Sequence, residues 1–187
     1  MSNRSNKPPS NYDASIDPNN VNSLLNINVK LLAFDLNSLT QPNSLSSSSS
    51  RDPNFLYRKG VPISRVEAFG VVVTRDFKPD KFLRFSIDDG TGCIQCILWL
   101  NQLTSSYFSR RCPSDVHSIA QMANVHSTRV QLGVSARVRG RVSGFRGSVQ
   151  VTVDDVVEER DPNYETLHLL DCINLARKRY DVLSYKK

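Results

Sequence analysis

The chain has 187 residues, of which 39% are hydrophobic and 22% are charged, and its formal net charge at pH 7 is +6. This length suits one globular domain with tails and leaves little room for a two-domain enzyme with separate cofactor and substrate domains. The first ten residues are polar, and no stretch approaches the roughly 18 apolar residues that a membrane span requires. We therefore expect a soluble intracellular protein without a membrane partner, whose four cysteines stay reduced.

The positive charge is concentrated in one segment. Residues 54–150 contain 14 Lys plus Arg and 6 Asp plus Glu, a net charge of +8, whereas the rest of the chain carries −2. Such a segment suits a polyanionic partner, because binding neutralises phosphates and releases counterions. The alternative is a basic surface that only keeps the protein soluble.

The N-terminal part of the chain predicts little regular structure. Residues 1–27 are rich in Asn, Ser and Pro and carry few large aliphatic side chains, which predicts a disordered tail. Residues 28–55 are predicted to form an extension, with a short apolar run at 29–34 that suits a strand or docking segment. The Ser-rich stretch at 45–52 is typical of a flexible linker.

Residues 56–158 predict one β-domain. β-branched and alternating patterns predict five strands, at 61–74, 82–88, 93–99, 132–142 and 148–157. Gly70 lies in the middle of the first strand and allows it to bend, and a helical connector is predicted in 101–125, where Pro113 breaks the pattern. The order β-β-β-α-β-β predicts an all-β fold with flanking helices, a single five-stranded OB barrel.

A C-terminal helix is predicted over residues 161–182. Asp161 followed by Pro162 is typical of a helix start. The apolar residues at helical spacing are Leu169, Ile173, Ala176 and Tyr180. This stripe fits a partner interface or packing on the chain's own barrel, and a helix with two faces can do both.

Two predicted loops carry aromatic and basic residues together. In OB barrels, the usual ligand groove lies on strands two and three between the one-two and four-five loops. The first loop, 75–81, contains Phe77, Lys78 and Lys81, and the second, 143–147, contains Phe145 and Arg146. Single-stranded nucleic acid binds such surfaces, because cations follow its backbone and rings stack on its bases.

Arginines on the predicted strands extend this surface. Arg137, Arg139 and Arg141 share one parity on strand four, so they form either a row that follows phosphates or an ordinary solvated strand face. Trp99 ends strand three and fits a stacking platform or a lid on the core equally well. The predicted nucleic-acid-binding residues are Phe77, Lys78, Lys81, Arg84, Trp99, Arg137, Arg139, Arg141, Phe145 and Arg146.

No constellation in the sequence points to catalysis, a metal or a cofactor. Cys93 and Cys96 form a lone C-x-x-C on a strand, where residues three apart point to opposite faces, and no second pair follows. Asp88 and Asp89 lie in Asp-Asp-Gly-Thr-Gly, which is better explained as a hairpin turn than as an acid–base pair. We expect a protein that is not an enzyme.

Several motifs together resemble a known family. They are Gly-Val-Pro-Ile-Ser-Arg-Val at 60–66, Ile-Asp-Asp-Gly-Thr-Gly-Cys-Ile-Gln-Cys-Ile-Leu-Trp at 87–99, Leu-Trp-Leu-Asn-Gln-Leu-Thr-Ser-Ser-Tyr-Phe at 98–108 and Arg-Val-Arg-Gly at 137–140. Over about residues 28–180 the sequence resembles the Stn subunit of the CST telomere-capping complex in its short plant-type form. The Asp-Asp-x-Thr-Gly turn is also similar to many other OB domains, including the middle subunit of replication protein A.

The resemblance implies a non-catalytic protein of the nucleus that acts at telomeres on chromosomes. It implies that the chain joins the Ctc and Ten subunits, holds the single-stranded G-rich telomeric DNA, protects chromosome ends and supports fill-in by DNA polymerase alpha–primase. It also implies that Trp99 and Phe145 contribute to DNA binding and that the C-terminal helix packs against the Ten subunit.

The chain departs from the longer animal and fungal forms. It ends at Lys187, so we expect their C-terminal winged-helix pair to be absent. Two alternative functions stay open from the sequence: a protein–protein scaffold without DNA contact, and a general single-strand-binding factor similar to replication protein A.

Overall fold

A computed structural model describes residues 24–41 and 55–181, apart from the side chain of Lys59. Its elements are β1 (Asn28–Lys30), α1 (Ala33–Asn37), β2 (Phe55–Tyr57), β3 (Val61–Ile63), β4 (Arg65–Lys78), β5 (Phe82–Asp88), β6 (Cys93–Trp99), α2 (Pro113–Arg129), β7 (Ser135–Phe145), β8 (Ser148–Glu158) and α3 (Tyr164–Leu175). The tail before residue 24 and the Ser-rich linker lie outside the described residues, so both stay predictions.

Five strands close into a barrel. The strand order is β4-β5-β6-β8-β7, and β4 also pairs with β7, which completes the closure. Only β6 and β8 run parallel within this ring. The helix α2 joins β6 to β7 and begins at Pro113, which explains why the helical pattern restarts there. The predicted OB barrel with the order β-β-β-α-β-β is confirmed.

The strand β4 pairs with two neighbours, and Gly70 lies next to Val71, where the pairing changes from one neighbour to the other. Its first half, residues 65–71, pairs with β7, and its second half, residues 71–78, pairs with β5. A Cβ atom added at Gly70 would lie 2.6 Å from the carbonyl oxygen of Asp88. Only glycine therefore allows the two backbones to approach this closely.

Both predicted ligand-binding loops are wrong in extent, because the flanking strands continue through them. β4 runs on to Lys78 and β5 begins at Phe82, and β7 runs on to Phe145 before β8 begins at Ser148. The β7–β8 connection is the two-residue turn Arg146–Gly147, with φ angles of 52° and 81°. Two successive positive φ angles are typical of a type I′ turn, which joins twisted strands tightly. The aromatic and basic residues of the two predicted loops therefore lie on or beside the ends of β-hairpins.

The residues before the barrel pack against it. β1 pairs in parallel with β4, which agrees with the docking segment expected at 29–34. The N–H of Ala33, at the start of α1, donates to the carboxylate of Asp89 at 2.7 Å. Leu24 is fully buried in the core, and Ile27 packs against the core. The predicted tail boundary at residue 27 is therefore wrong for residues 24–27, because their aliphatic side chains reach the barrel.

The C-terminal helix begins later than predicted and changes geometry. Asp161 accepts a hydrogen bond from the Asn163 N–H at 2.9 Å in a turn that precedes α3. The residues that follow α3, Ala176–Tyr180, form a π-helical turn. None of the helices within the described ranges is long and apolar enough to cross a membrane.

The predicted apolar stripe does not form one face. Leu169 and Ile173 are exposed, whereas Ala176 packs against the core and Tyr180 is buried. The wider turn of the π-helix, which spans Ala176–Tyr180, rotates Tyr180 away from the line that α-helical spacing predicts. The side of α3 that faces the barrel is instead marked by buried His168 and Cys172.

Candidate nucleic-acid interface

The outer surface of the β4–β5–β6 sheet carries rings and cations side by side. The strand register places Lys78 opposite Phe82, and Phe82 opposite Trp99. Arg84 lies two residues beyond Phe82 on the same strand and therefore projects from the same side of the sheet. The β7–β8 turn contributes an aromatic and a cation at one end of this surface. We call the set Lys78, Phe82, Arg84, Trp99, Phe145 and Arg146 the aromatic–cationic face.

Each member of the aromatic–cationic face contacts its spatial neighbour. The rings of Phe82 and Trp99 meet edge to face, with centroids 6.2 Å apart and an interplanar angle of 81°. The guanidinium carbon of Arg84 lies 5.0 Å from the Phe82 centroid and 5.2 Å from the Phe145 centroid, so Arg84 bridges the two rings.

Two further cations complete the alternation of rings and charges. Lys78 Nζ lies 5.3 Å from the Phe82 centroid. Arg146 Cζ lies 5.2 Å from the Phe145 centroid. Cations at these distances from ring centroids are attracted by the negative ring faces, which helps to hold both groups in place.

The face is accessible to a ligand. The side chains of Trp99 and Phe145 are 44% and 41% exposed, which leaves ring surface open for stacking. Arg84 is partly buried, and its Nε has no hydrogen-bond partner among the residues that the structure describes. An ordered guanidinium beside two rings can contact a phosphate with its terminal N–H groups.

Phe82 was not among the predicted binding residues. Its alternation with Arg84 along the strand placed both on one parity, and this pattern is the signal that identifies it. The cross-strand pairing with Trp99 is what the sequence alone did not supply.

Two predicted binding residues lie elsewhere on the β4–β5 hairpin. Phe77 is paired with Leu83, which points into the core, so the Phe77 ring leaves the hairpin on the side opposite Lys78. Lys81 is exposed in the turn. The predicted DNA contacts of Phe77 and Lys81 stay predictions.

The predicted arginine row is not an open cationic track. Glu67 on β4 lies directly opposite Arg139 on β7, and its carboxylate accepts from Arg139 Nε at 2.5 Å. Arg137 Nη1 lies 3.9 Å from the same carboxylate, and Arg137 Nε lies 3.7 Å from Glu159. These acidic partners come from β4 and from the segment after β8, so the sequence around β7, which has no Asp or Glu in residues 131–150, does not reveal them. The predicted DNA contacts of both arginines stay untested.

Arg141, the third member of the row, has a different environment. It is exposed and lines a cleft beside Trp99. Because Arg141 and Trp99 line the same cleft, Arg141 lies near the aromatic–cationic face.

The residues considered for a metal or for acid–base chemistry have structural roles. Cys93 is exposed and Cys96 is buried, so the pair does not converge, and burial raises the pKa of the Cys96 thiol. Asp88 and Asp89 each accept a backbone N–H in the hairpin turn, from Gly90 and Thr91, both at 2.8 Å. Within residues 24–41 and 55–181, no three His, Cys, Asp or Glu side chains are grouped to hold a metal ion.

Comparisons with known proteins identify a family through one curated relative. No family model matches the sequence. The CST complex subunit STN1 of Arabidopsis thaliana is 46% identical over 160 residues, which span 86% of this chain and 96% of that protein. The CST complex subunit STN1 of Ailuropoda melanoleuca is 28% identical over 141 residues, and the chain spans only 38% of that longer protein.

Solved structures show the same barrel. The S. pombe Stn1-ten1 complex matches with a TM-score of 0.59 at 15% identity, covering 80% of this chain and 90% of that chain. A replication protein A heterotrimer bound to ssDNA matches with a TM-score of 0.59 at 16% identity, covering 84% of this chain and 99% of that chain. At these identities the structural matches establish the OB fold alone. The identity and coverage of the Arabidopsis relative place this chain in the STN1 family of CST complex subunits.

Proposed function

We propose that the chain binds single-stranded G-rich telomeric DNA through the aromatic–cationic face, as a non-catalytic subunit of the CST complex. The observation that carries the proposal is the alternation of three rings with three cations across β4, β5, β6 and the end of the β7–β8 hairpin. Membership of the STN1 family supports the telomeric setting. The shared fold with a replication protein A heterotrimer solved on ssDNA supports a single strand as the ligand.

The chemistry of the face fits a single strand. Each ring offers a surface on which a base can stack, worth roughly 1–3 kcal/mol per base in proteins of this kind. Three phosphate contacts by Lys78, Arg84 and Arg146 predict that log K falls with log salt at a slope of about −2. One barrel covers few nucleotides, so we expect modest affinity for the isolated chain and higher affinity in the assembled complex.

The same proposal covers the wider role of the chain. As a CST subunit it joins the Ctc and Ten subunits at telomeres in the nucleus, protects chromosome ends and supports fill-in by DNA polymerase alpha–primase. The solved Stn1-ten1 complex supports the Ten subunit as one partner.

The exposed side of α3 is a suitable surface for the Ten subunit. The side that faces away from buried His168 and Cys172 carries four exposed aliphatic residues, Leu167, Leu169, Leu170 and Ile173. Neighbouring exposed aliphatic side chains on one element are typical of a protein–protein interface. We propose that the predicted interface residues Leu169 and Ile173 contact this partner, whereas Ala176 and Tyr180 hold the helix to the barrel.

A matched pair of variants tests the DNA interface. Phe145 and Phe77 are each 41% exposed, and they lie on different hairpins. In fluorescence anisotropy with G-rich single strands and the chain in complex with its Ten partner, Phe145→Ala should weaken binding at least fivefold. Phe77→Ala should change it by less than twofold, because the Phe77 ring lies on the side of the hairpin opposite Lys78; this proposal thereby replaces the sequence-based prediction of a DNA contact at Phe77. Equal losses from the two variants would remove the aromatic–cationic face from the proposal.

The single tryptophan provides an independent readout. Trp99 is the only tryptophan in the chain, so its emission reports on this site alone. Stacking of a base on Trp99 should quench the emission as DNA is added, and Arg84→Met should shift the quenching curve to higher DNA concentration. Unchanged emission at saturating DNA would show that the strand binds elsewhere.

The α3 interface is tested by a charge on its exposed side. Leu170→Glu should prevent co-purification with the Ten subunit, because it places a carboxylate in an apolar contact. Gln121→Glu adds the same charge on α2 and should leave co-purification intact. Retention of the partner by Leu170→Glu would contradict the interface.

A further inference from the structure

A cleft opens beside Trp99, at the end of the aromatic–cationic face. It lies between α2, the segment at 101–111 and the β7–β8 sheet, and its volume is about 590 Å³. This volume falls within the roughly 300–1,000 Å³ of pockets that hold small ligands. A strand that crosses the aromatic–cationic face therefore reaches the cleft at Trp99.

The walls of the cleft offer rings and cations. Tyr107 and Phe108 meet edge to face with centroids 5.1 Å apart, and Tyr107 is 72% exposed. Arg111 Cζ lies 5.6 Å from the Phe108 centroid, and Arg141 on β7 also lines the cleft. A ring that is exposed to this degree buries little apolar area within the chain and offers its face to a ligand.

Unsatisfied polar atoms lie in the lining of the cleft. Gln102 is 7% exposed, and its Nε2 donates to the backbone oxygen of Trp99 at 2.7 Å, which fixes the orientation of the amide. Its Oε1 is buried and has no hydrogen-bond partner within the described part of the chain.

His126 is the second such group. It is 7% exposed, and neither ring nitrogen makes a hydrogen bond to any described residue. Its nearest acidic neighbour is Asp155, whose Oδ1 lies 3.7 Å from Nε2, beyond hydrogen-bond distance. A buried acceptor without a donor is costly, so a ligand that brings a donor to Gln102 or His126 is favoured.

We propose that this cleft takes one unstacked guanine base of the bound single strand. This inference rests on the proposed function, because the strand must first lie on the aromatic–cationic face. The Tyr107 ring stacks on the base, and Gln102 Oε1 accepts a hydrogen bond from the exocyclic N2 amino group on its Watson–Crick edge. Guanine carries two adjacent donors on that edge, N1–H and the exocyclic N2 amino group, whereas thymine carries one N–H donor there.

The test compares oligothymidine strands that differ in one nucleotide. The full chain is titrated into a labelled 12-mer of thymidine and into the same 12-mer with one central guanine. Because the strand can slide, the guanine finds the cleft, and we expect about fivefold tighter binding or more. Replacing that guanine by inosine, which lacks only the N2 amino group, should remove most of the gain. Replacement by 7-deazaguanine, which keeps both donors, should preserve it.

Two variants locate the gain in the cleft. Gln102→Met keeps the side-chain length and removes the acceptor, and Tyr107→Ala removes the stacking ring. Both should lose the guanine gain; Gln102→Met should bind plain oligothymidine within twofold of the unaltered chain, whereas Tyr107→Ala should bind both strands with equal affinity, whatever its loss in stacking. Unaltered Trp99 emission in Gln102→Met would show that the substitution leaves the indole ring in place. If the emission changes, the guanine gain is judged from Tyr107→Ala alone.

The outcomes separate this inference from the proposed function. Binding of plain oligothymidine without a guanine gain overturns the cleft and leaves the aromatic–cationic face intact. A gain that survives both variants also overturns it. Loss of co-purification with the Ten subunit in Tyr107→Ala, with the guanine gain retained, would assign the cleft to a protein side chain instead. No binding of either strand, alone or with the Ten subunit, overturns both proposals.

Discussion

Removal of the charge at Glu67 should destabilise the barrel more than any surface charge change. The Glu67 side chain is 1% exposed and accepts from Arg139 Nε at 2.5 Å. Lys30 Nζ lies 3.6 Å away and Arg137 Nη1 lies 3.9 Å away, so three cations surround one buried carboxylate. Glu67→Gln keeps the shape of the side chain and leaves these cations without their shared counter-charge.

The exposure of the groups around Glu67 indicates how much unfolding free energy Glu67→Gln should cost. Loss of one partner from a fully buried ion pair costs about 3–5 kcal/mol, and a hydrogen bond to a charged group is worth about 1.5–3 kcal/mol. The Arg139 side chain is 34% exposed, so water can reach it, and Lys30 keeps Asp171 at 2.6 Å. The cost therefore falls towards the lower range, about 2–3 kcal/mol. For a chain of this size that lowers Tm by about 4–12 °C.

Thermal unfolding followed by circular dichroism measures this loss against a matched control. Arg65 binds Asp154 at 2.7 Å, but the two side chains are 31% and 44% exposed. Asp154→Asn should therefore cost less than about 1 kcal/mol, as exposed pairs do. Equal Tm losses for Glu67→Gln and Asp154→Asn would refute the reasoning that burial increases the contribution of the Glu67 carboxylate to stability.

Three further predictions concern the barrel and its helix. Burial lowers the pKa of His168 below its ordinary value of 6.5, so at acidic pH the unfolded chain binds a proton at this residue more readily than the folded chain does. Tm should therefore fall as pH drops below about 6.5, and His168→Gln should flatten this dependence. Gly70→Ala should cost about 1–3 kcal/mol in urea unfolding, because the new Cβ meets the Asp88 carbonyl oxygen at 2.6 Å. Gly147→Val should destabilise the β7–β8 hairpin by about 1–2 kcal/mol, because the residue has a φ of 81°, and should weaken DNA binding through the adjacent Phe145.

Hydrophobic alternation was sufficient to predict the barrel. Leu83, Phe85 and Ile87 share one parity in the sequence, and all three are fully buried. This works because every barrel strand has one face inside, so burial has a period of two along the chain. Pro113 likewise predicted a break that the structure realises as the first turn of α2.

Strand ends and helix ends were less predictable. Residues 75–78 carry charged and aromatic side chains that are typical of a loop, yet they pair with β5 as a hairpin. Backbone hydrogen bonds to a neighbouring strand hold such residues in β geometry whatever their side chains prefer. The π-helical turn after Leu175 could not be predicted from the apolar spacing, because that spacing assumes the period of an α-helix throughout.

The charge pattern shows why the candidate site was only partly predictable. A net charge counted along the chain identified the barrel as basic, but it treated every cation in the segment as equally available. Pairing of β4 with β7 places Glu67 against Arg139, whereas the outer side of β5 places Arg84 beside Phe82, and the β7–β8 hairpin brings Phe145 to Arg84 as well. The first arginine is neutralised and the second is held among rings. Which arginine is paired with a carboxylate and which lies among rings is therefore decided by strand register, and register depends on contacts between residues that are distant in the sequence.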